Sequence, residues 1–289
     1  MLTTGGLADS PVSLMFTRLP NGHLEVSVRS PLIYLDHCAI RGISSDPAKR
    51  EHLRKTFEKR GTLMFSVVNM LEMARNSGPS YERIRDMLDD LGPYWLPSDP
   101  DPATVLAREM QGDIAPQSFF VPLEIFGHIF RAMPPGTVSL GTALEKIHDA
   151  DFRERAPDVL GKRPDFLRTL RAQRDLHLAG AKPLPITHPE HSLPWIELSL
   201  ARLLVTDGKK IKENDATDLL HAVVPLRYAI VLVFDKAWAS FAKRLGLRDG
   251  THVFTATEKG LTSALECIRT VDTSMHRIIR PPEPRFIRE

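Results

Sequence analysis

Only two cysteines, Cys38 and Cys267, occur in 289 residues, far apart and in no metal-ligand spacing. That excludes a disulfide framework or a zinc ribbon and fits two reduced thiols in a cytoplasmic protein. No apolar run approaches the roughly 18 residues a membrane-spanning helix needs, so no membrane association is expected. The opening MLTTGGLADSPVSLMF has no basic n-region and no apolar stretch of signal length, so no secretory leader is expected either. Phosphate-cradling Walker A loops, a GxGxxG after a strand and a GxSxG elbow are all missing, which leaves nucleotide-fold and Ser/His/Asp chemistry without support. The net charge of +2 is too small to name a partner.

What is present reads as a globular α/β chain with 42% hydrophobic residues, long enough to bury a core without staples. SLMFTRLPNGHLEVS (14–28) alternates on either side of Asn21-Gly22 and predicts an N-terminal β-hairpin. Leu32–Leu35, Leu63–Phe65 and Ile230–Phe234 are short apolar runs that suit strands buried on both faces of a parallel sheet. Residues 47–60 predict a helix with Pro47 in its first turn. Ser66 can cap a helix running to about Arg75, and Asn214 can cap one that begins near Asp215. Thr255 and Glu258 have the spacing of a capping box before a last helix. Residues 77–194 differ in character. Helical spacing recurs but prolines interrupt it, so they read as a helical insertion between core segments at about 30–76 and 195–260. The basic, proline-rich tail, 277–289, reads as extended or disordered.

The acids carry the chemistry. Asp36 and Asp235 each end an apolar strand, where open α/β sheets place their ligand groups. Glu72 lies in the second turn of the helix after another strand. Asp215 and Asp218, three apart, share a helix face. Carboxylates gathered at one spot raise each other's pKa and destabilise the fold, and a hard divalent cation removes that penalty. Any single one of these acids is explained as well by turn or cap chemistry, Asp215 especially. The ordered set is harder to explain that way.

The residues YLDHCAI, FSVVNMLEMAR, DLLHAVV and VLVFDKAWASF, taken in order, resemble the four acidic motifs of the PIN-domain nuclease family. The resemblance rests on Asp36, on Ser66 with Glu72, on Asp218, and on Asp235 with Phe241. It implies a three-layer α/β/α sandwich around a parallel sheet, a magnesium or manganese cofactor, and hydrolysis of phosphodiester bonds, most often in RNA. Asp36, Glu72, Asp218 and Asp235 would be catalytic metal ligands, with Asp215 a fifth acid and Ser66, Asn69 and His221 behind them. Many family members are toxins paired with an antitoxin, so an antitoxin, another protein or a second copy of the chain are the partners implied. The chain departs from the pattern at His37-Cys38, where Thr or Ser and then Asn or Ser are usual. It departs again at Val233-Phe234 and in its long insertion.

The helix at 47–60 is basic: Lys49, Arg50, Arg54, Lys55, Lys59 and Arg60 outnumber Glu51 and Glu58. Arg50, Arg54 and Lys55, with Lys209 and Lys210 ahead of Asp215, are the candidate contacts to nucleic-acid phosphates. The alternative function is a catalytically inactive module on the same fold that binds protein or RNA. A phosphatase with an aspartyl nucleophile is disfavoured, because position 38, where a second Asp would stand, is Cys.

Overall fold

A computed structural model describes residues 16–18, 24–74, 76–92, 94–113, 115, 117–120, 140–141, 144–145, 163–207, 209–272 and 275–280. At its centre lies a parallel sheet of five strands, β3 (Leu32–Leu35), β4 (Thr62–Ser66), β5 (Trp95–Ser98), β6 (Val231–Phe234) and β7 (His252–Thr255), in the order β5-β4-β3-β6-β7. Side chains alternate between its two faces, and both faces are dry. Ile33, Leu35, Leu63, Phe65, Val231 and Val233 pack against α1 (His37–Ser44), α2 (Pro47–Lys59), α3 (Val67–Ala74), α4 (Gly78–Asp90) and α10 (Glu258–Thr270). Tyr34, Met64, Leu96, Leu232 and Phe234 pack against α5 (Pro102–Met110), α6 (Arg163–Leu178), α7 (Leu193–Thr206), α8 (Glu213–Tyr228) and α9 (Lys236–Arg244). Burial on both faces is why the strands read as unbroken apolar runs. Each fully buried Leu, Ile or Phe contributes about 1.5–3 kcal/mol relative to exposure.

Strands β1 (Phe16–Arg18) and β2 (Leu24–Arg29) form the expected antiparallel hairpin, paired Phe16↔Val26; its Asn21-Gly22 turn lies outside the described residues. A third strand, β8 (Met275–Arg280), pairs antiparallel with β2 and corrects the reading of the tail, which is extended because it completes this sheet. Residues 281–289 lie outside the described part. The small sheet is tied to the core through Arg29. Its backbone N–H donates to Thr62 Oγ1 at 3.0 Å, and its guanidinium lies 3.5 Å above the centre of the Tyr94 ring.

Two other expectations need correction. The segment assigned to the insertion from residue 77 begins as core: α4 leads into β5, which pairs with β4 from Leu63↔Trp95 to Ser66↔Ser98. The strand was hidden because WLPS is short, ends in polar residues and contains proline, which an edge strand tolerates. Much of the segment with recurring helical spacing lies outside the described residues, including 121–139 and 146–162. The helix caps also shift. Lys212, not Asn214, is the N-cap of α8, and Thr257, not Thr255, caps α10 by accepting from the Gly260 N–H. Gly260 has no room for a side chain, since an added Cβ would fall 2.0 Å from the Thr255 carbonyl oxygen.

The connections orient the basic helix. Beyond the end of α2, Gly61 and Thr62 donate to the carbonyls of Ser30 and Pro31, just ahead of β3. The C-terminal end of α2 therefore sits at the edge where the strands begin. By contrast, α8 ends where β6 begins, with the Ile230 N–H donating to the Leu32 carbonyl at 2.8 Å, so its first turns point to the edge where the strands end.

Candidate metal centre

Two acids close adjacent strands. The Asp36 backbone N–H continues the ladder to the Val233 carbonyl at 2.9 Å, and its extended backbone turns the chain into α1. As the N-cap of that helix, Asp36 Oδ1 accepts from the His37 N–H at 2.7 Å, while Oδ2 accepts from the Cys38 thiol at 3.1 Å. Cys38, a departure from the resembled motif, thus supplies a hydrogen bond to the acid. Burial, then the neighbouring carboxylate, pushes the thiol well up, so it stays a donor. His37 is held by the Asn76 amide 3.2 Å from its Nε2, and that amide also donates to the Met73 carbonyl at 2.9 Å. Asp235, at the end of β6, repeats the pattern as the N-cap of α9, accepting from the Trp238 N–H at 2.8 Å.

Asp218 lies in the second turn of α8, and its Oδ2 accepts from the Trp238 indole N–H at 3.1 Å. Its pKa is raised to about 8. Burial is the largest cause, followed by the charges of Glu72, Asp36 and Asp235; the Trp238 hydrogen bond opposes them. Asp36 is raised as well, by burial first and then, among the charges, by Asp235. Tyr34, fully buried two residues before Asp36, is pushed well above its usual value by burial and then by Asp36, with Glu72 and Asp218 acting in the same direction. Four carboxylates from four elements therefore share one electrostatic neighbourhood at the C-terminal edge of the sheet. Asp99, just past the end of β5, shows what a purely structural acid at this edge looks like: Arg108 neutralises it at 3.1 Å and the Asp101 N–H donates to it. Among the described residues, no lysine or arginine lies within ion-pair distance of Asp36, Asp218 or Asp235.

Ser66 and Asn69 hold the start of the helix that carries Glu72. The Ser66 hydroxyl accepts from the Asn69 N–H at 3.3 Å, and Asn69 Oδ1 accepts from the Ser66 N–H at 2.9 Å and from its hydroxyl at 2.8 Å. This is a capping box closed by an amide. The Asn69 amide also donates to the Tyr34 hydroxyl at 3.4 Å, which brings β3, β4 and α3 together beneath the acids.

Other expected residues stand apart. Asp215 is not among the charges acting most strongly on Asp218 or Asp36; its carboxylate accepts from the Lys212 N–H at 2.6 Å and caps α8. His221 is 5% exposed, its pKa is driven down to about 3 by burial alone, and its Nε2 has no partner among the described residues. It is a neutral core histidine. Arg50 pairs with Asp90, Arg54 with Glu51 and Glu58, and Lys55 with Glu51. Those pairs, and the position of the end of α2 at the far edge of the sheet, weaken the basic helix as a phosphate guide. Lys209 pairs with Asp207 at 3.3 Å, and Lys210 is exposed; both precede α8, whose start faces the acids.

Sequence reasoning missed Tyr34, Cys38 and Trp238. The aromatic taken to follow Asp235 was Phe241, but Phe241 is a core residue that packs edge-on against Trp238, with 5.7 Å between ring centres. Trp238 was findable, because the third residue of a helix is the one whose N–H an N-cap side chain reaches. Among the described residues, no three His, Cys, Asp or Glu side chains converge into a ready-made coordination group. The chain matches no family model, no curated protein and no solved structure.

Proposed function

We propose that the chain is a divalent-metal-dependent nuclease of the PIN-like type that hydrolyses phosphodiester bonds, with RNA as the substrate class its motifs imply. The observation that carries this reading is the gathering of acids at one sheet edge: Asp36 and Asp235 close adjacent strands, Trp238 bonds both Asp235 and Asp218, and burial and the charges of Glu72, Asp36 and Asp235 push the Asp218 carboxyl upward. A fold tolerates such a cluster at a cost of stability, and a cation offsets that cost.

Asp36, Glu72, Asp218 and Asp235 would hold the ion. Anionic oxygen donors alone suit a hard cation such as magnesium or manganese, and thiol or imidazole donors are not needed. When bound, the ion supplies a water of lowered pKa and a counter-charge for the oxygens around phosphorus. The chain does the positioning. Asp36 has one oxygen on each of two donors, so its orientation is set before any ligand arrives. Asp235 is set by one oxygen on the Trp238 N–H. Glu72 or Asp235 orients the attacking water and takes up its proton.

The test is cleavage of single-stranded and structured RNA with manganese, run beside Asp36→Asn. Metal-dependent cleavage by the wild type and none by the variant is the expected result; equal cleavage by both sinks the reading. A second reading, a non-catalytic module on the same fold, is favoured by the lack of a preformed coordination group among the described residues. It predicts no thermal stabilisation by magnesium or manganese.

A further inference from the structure

Trp238 touches two of the four acids at once. Its backbone N–H donates to Asp235 Oδ1 at 2.8 Å, and its indole N–H donates to Asp218 Oδ2 at 3.1 Å. The side chain is 4% exposed and stands edge-on to Phe241, so packing fixes the direction of the indole N–H. Both bonds come from one residue in the first turn of α9, and they tie the second turn of α8 to the acid at the end of β6. Resting on the metal-site reading above, we infer that Trp238 is a positioning residue that aims the Asp218 carboxylate at the cation. The indole occupies Oδ2, which leaves Oδ1 as the oxygen for a cation. A phenylalanine in this place would pack equally well and do none of this, so the role belongs to the N–H and not to the ring.

The experiment compares wild type with Trp238→Phe. Calorimetric titration with manganese is expected to show affinity about tenfold weaker in the variant, the scale found when a partner behind a metal ligand is removed. A merely structural role would lower thermal stability and leave metal affinity unchanged, and that result overturns the inference. Asp218→Ala separates the two layers of argument. Wild type binding manganese while Asp218→Ala does not keeps the metal site standing whatever Trp238→Phe shows, whereas no binding by the wild type removes both. Should Trp238→Phe fail to fold, magnesium is added to wild-type protein carrying ¹⁵N-labelled indoles. The three resonances are assigned through Trp95→Phe and Trp195→Phe. A shift of the Trp238 indole alone supports the role, and an unmoved Trp238 resonance overturns it.

Discussion

Asp36 and Asp235 do the same job on adjacent strands. Each ends its strand, each is the N-cap of the next helix, and Leu35↔Val233 pairing sets the two strand ends side by side. Capping explains why the two carboxylates are held in place without a cation. The mutual repulsion of the cluster explains why a cation would be welcome.

Substitution at Asp36 should therefore separate the two roles. Asn is as good an N-cap as Asp, so Asp36→Asn should keep its melting temperature within about 2 °C and lose metal-dependent cleavage. Asp36→Ala should lose cleavage as well, together with about 1 kcal/mol of stability from the missing cap. Thermal melts beside a cleavage assay decide it. An asparagine variant that cuts RNA at the wild-type rate contradicts the assignment.

Asp218 sets a pH dependence in chelated protein. Its folded pKa lies above the ordinary aspartate value of 3.8, at about 8. Between those values the native state binds more protons than the unfolded one, so this group's contribution to stability declines as pH rises through that window. Asp218→Asn removes the penalty and should stabilise the metal-free protein at pH 8 by a few kcal/mol, about 5 °C or more, with little gain at pH 4. A melt in EDTA at both pH values checks this, and a destabilised variant at pH 8 means the acids do not repel as described.

The box formed by Ser66 and Asn69 should matter through Glu72. Ser66→Ala loses both the cap and a buried hydroxyl bond, at about 1–2 kcal/mol, and should weaken manganese binding because the start of α3 loosens. Calorimetry beside denaturant unfolding separates the effects. Affinity equal to wild type would show that α3 is held by packing alone.

The basic residues should divide by position. Replacing Arg50, Arg54 and Lys55 together by Ala should leave RNA affinity and its salt slope nearly unchanged, because their charges are already paired with Asp90, Glu51 and Glu58. Replacing Lys210 should lower the salt slope by up to about 1, the amount expected for one lost phosphate contact on a single strand, and replacing Lys209, paired with Asp207, should lower it by less. Binding measured across a salt series distinguishes them, and a large loss from the α2 triple variant would reverse the assignment.

The sequence by itself determined the parallel sheet and its acids. Strands buried on both faces are apolar, so Leu32–Leu35, Leu63–Phe65 and Ile230–Phe234 were visible as short runs, the first and last with Asp36 and Asp235 at their ends. The same pattern could not show β5, whose polar and proline content is tolerated only because it lies at the sheet edge, nor β8, which exists through pairing with a strand some 250 residues away. Nor could composition tell Asp215 from Asp218. Both stand on one helix; only folding brings Asp218 under the indole of Trp238 and within the field of three other acids, while Asp215 turns back to cap its own first turn. Local spacing decides which residues can meet along a helix or strand. Which charges must share a space is decided by chain segments remote in sequence, and hence by tertiary packing alone.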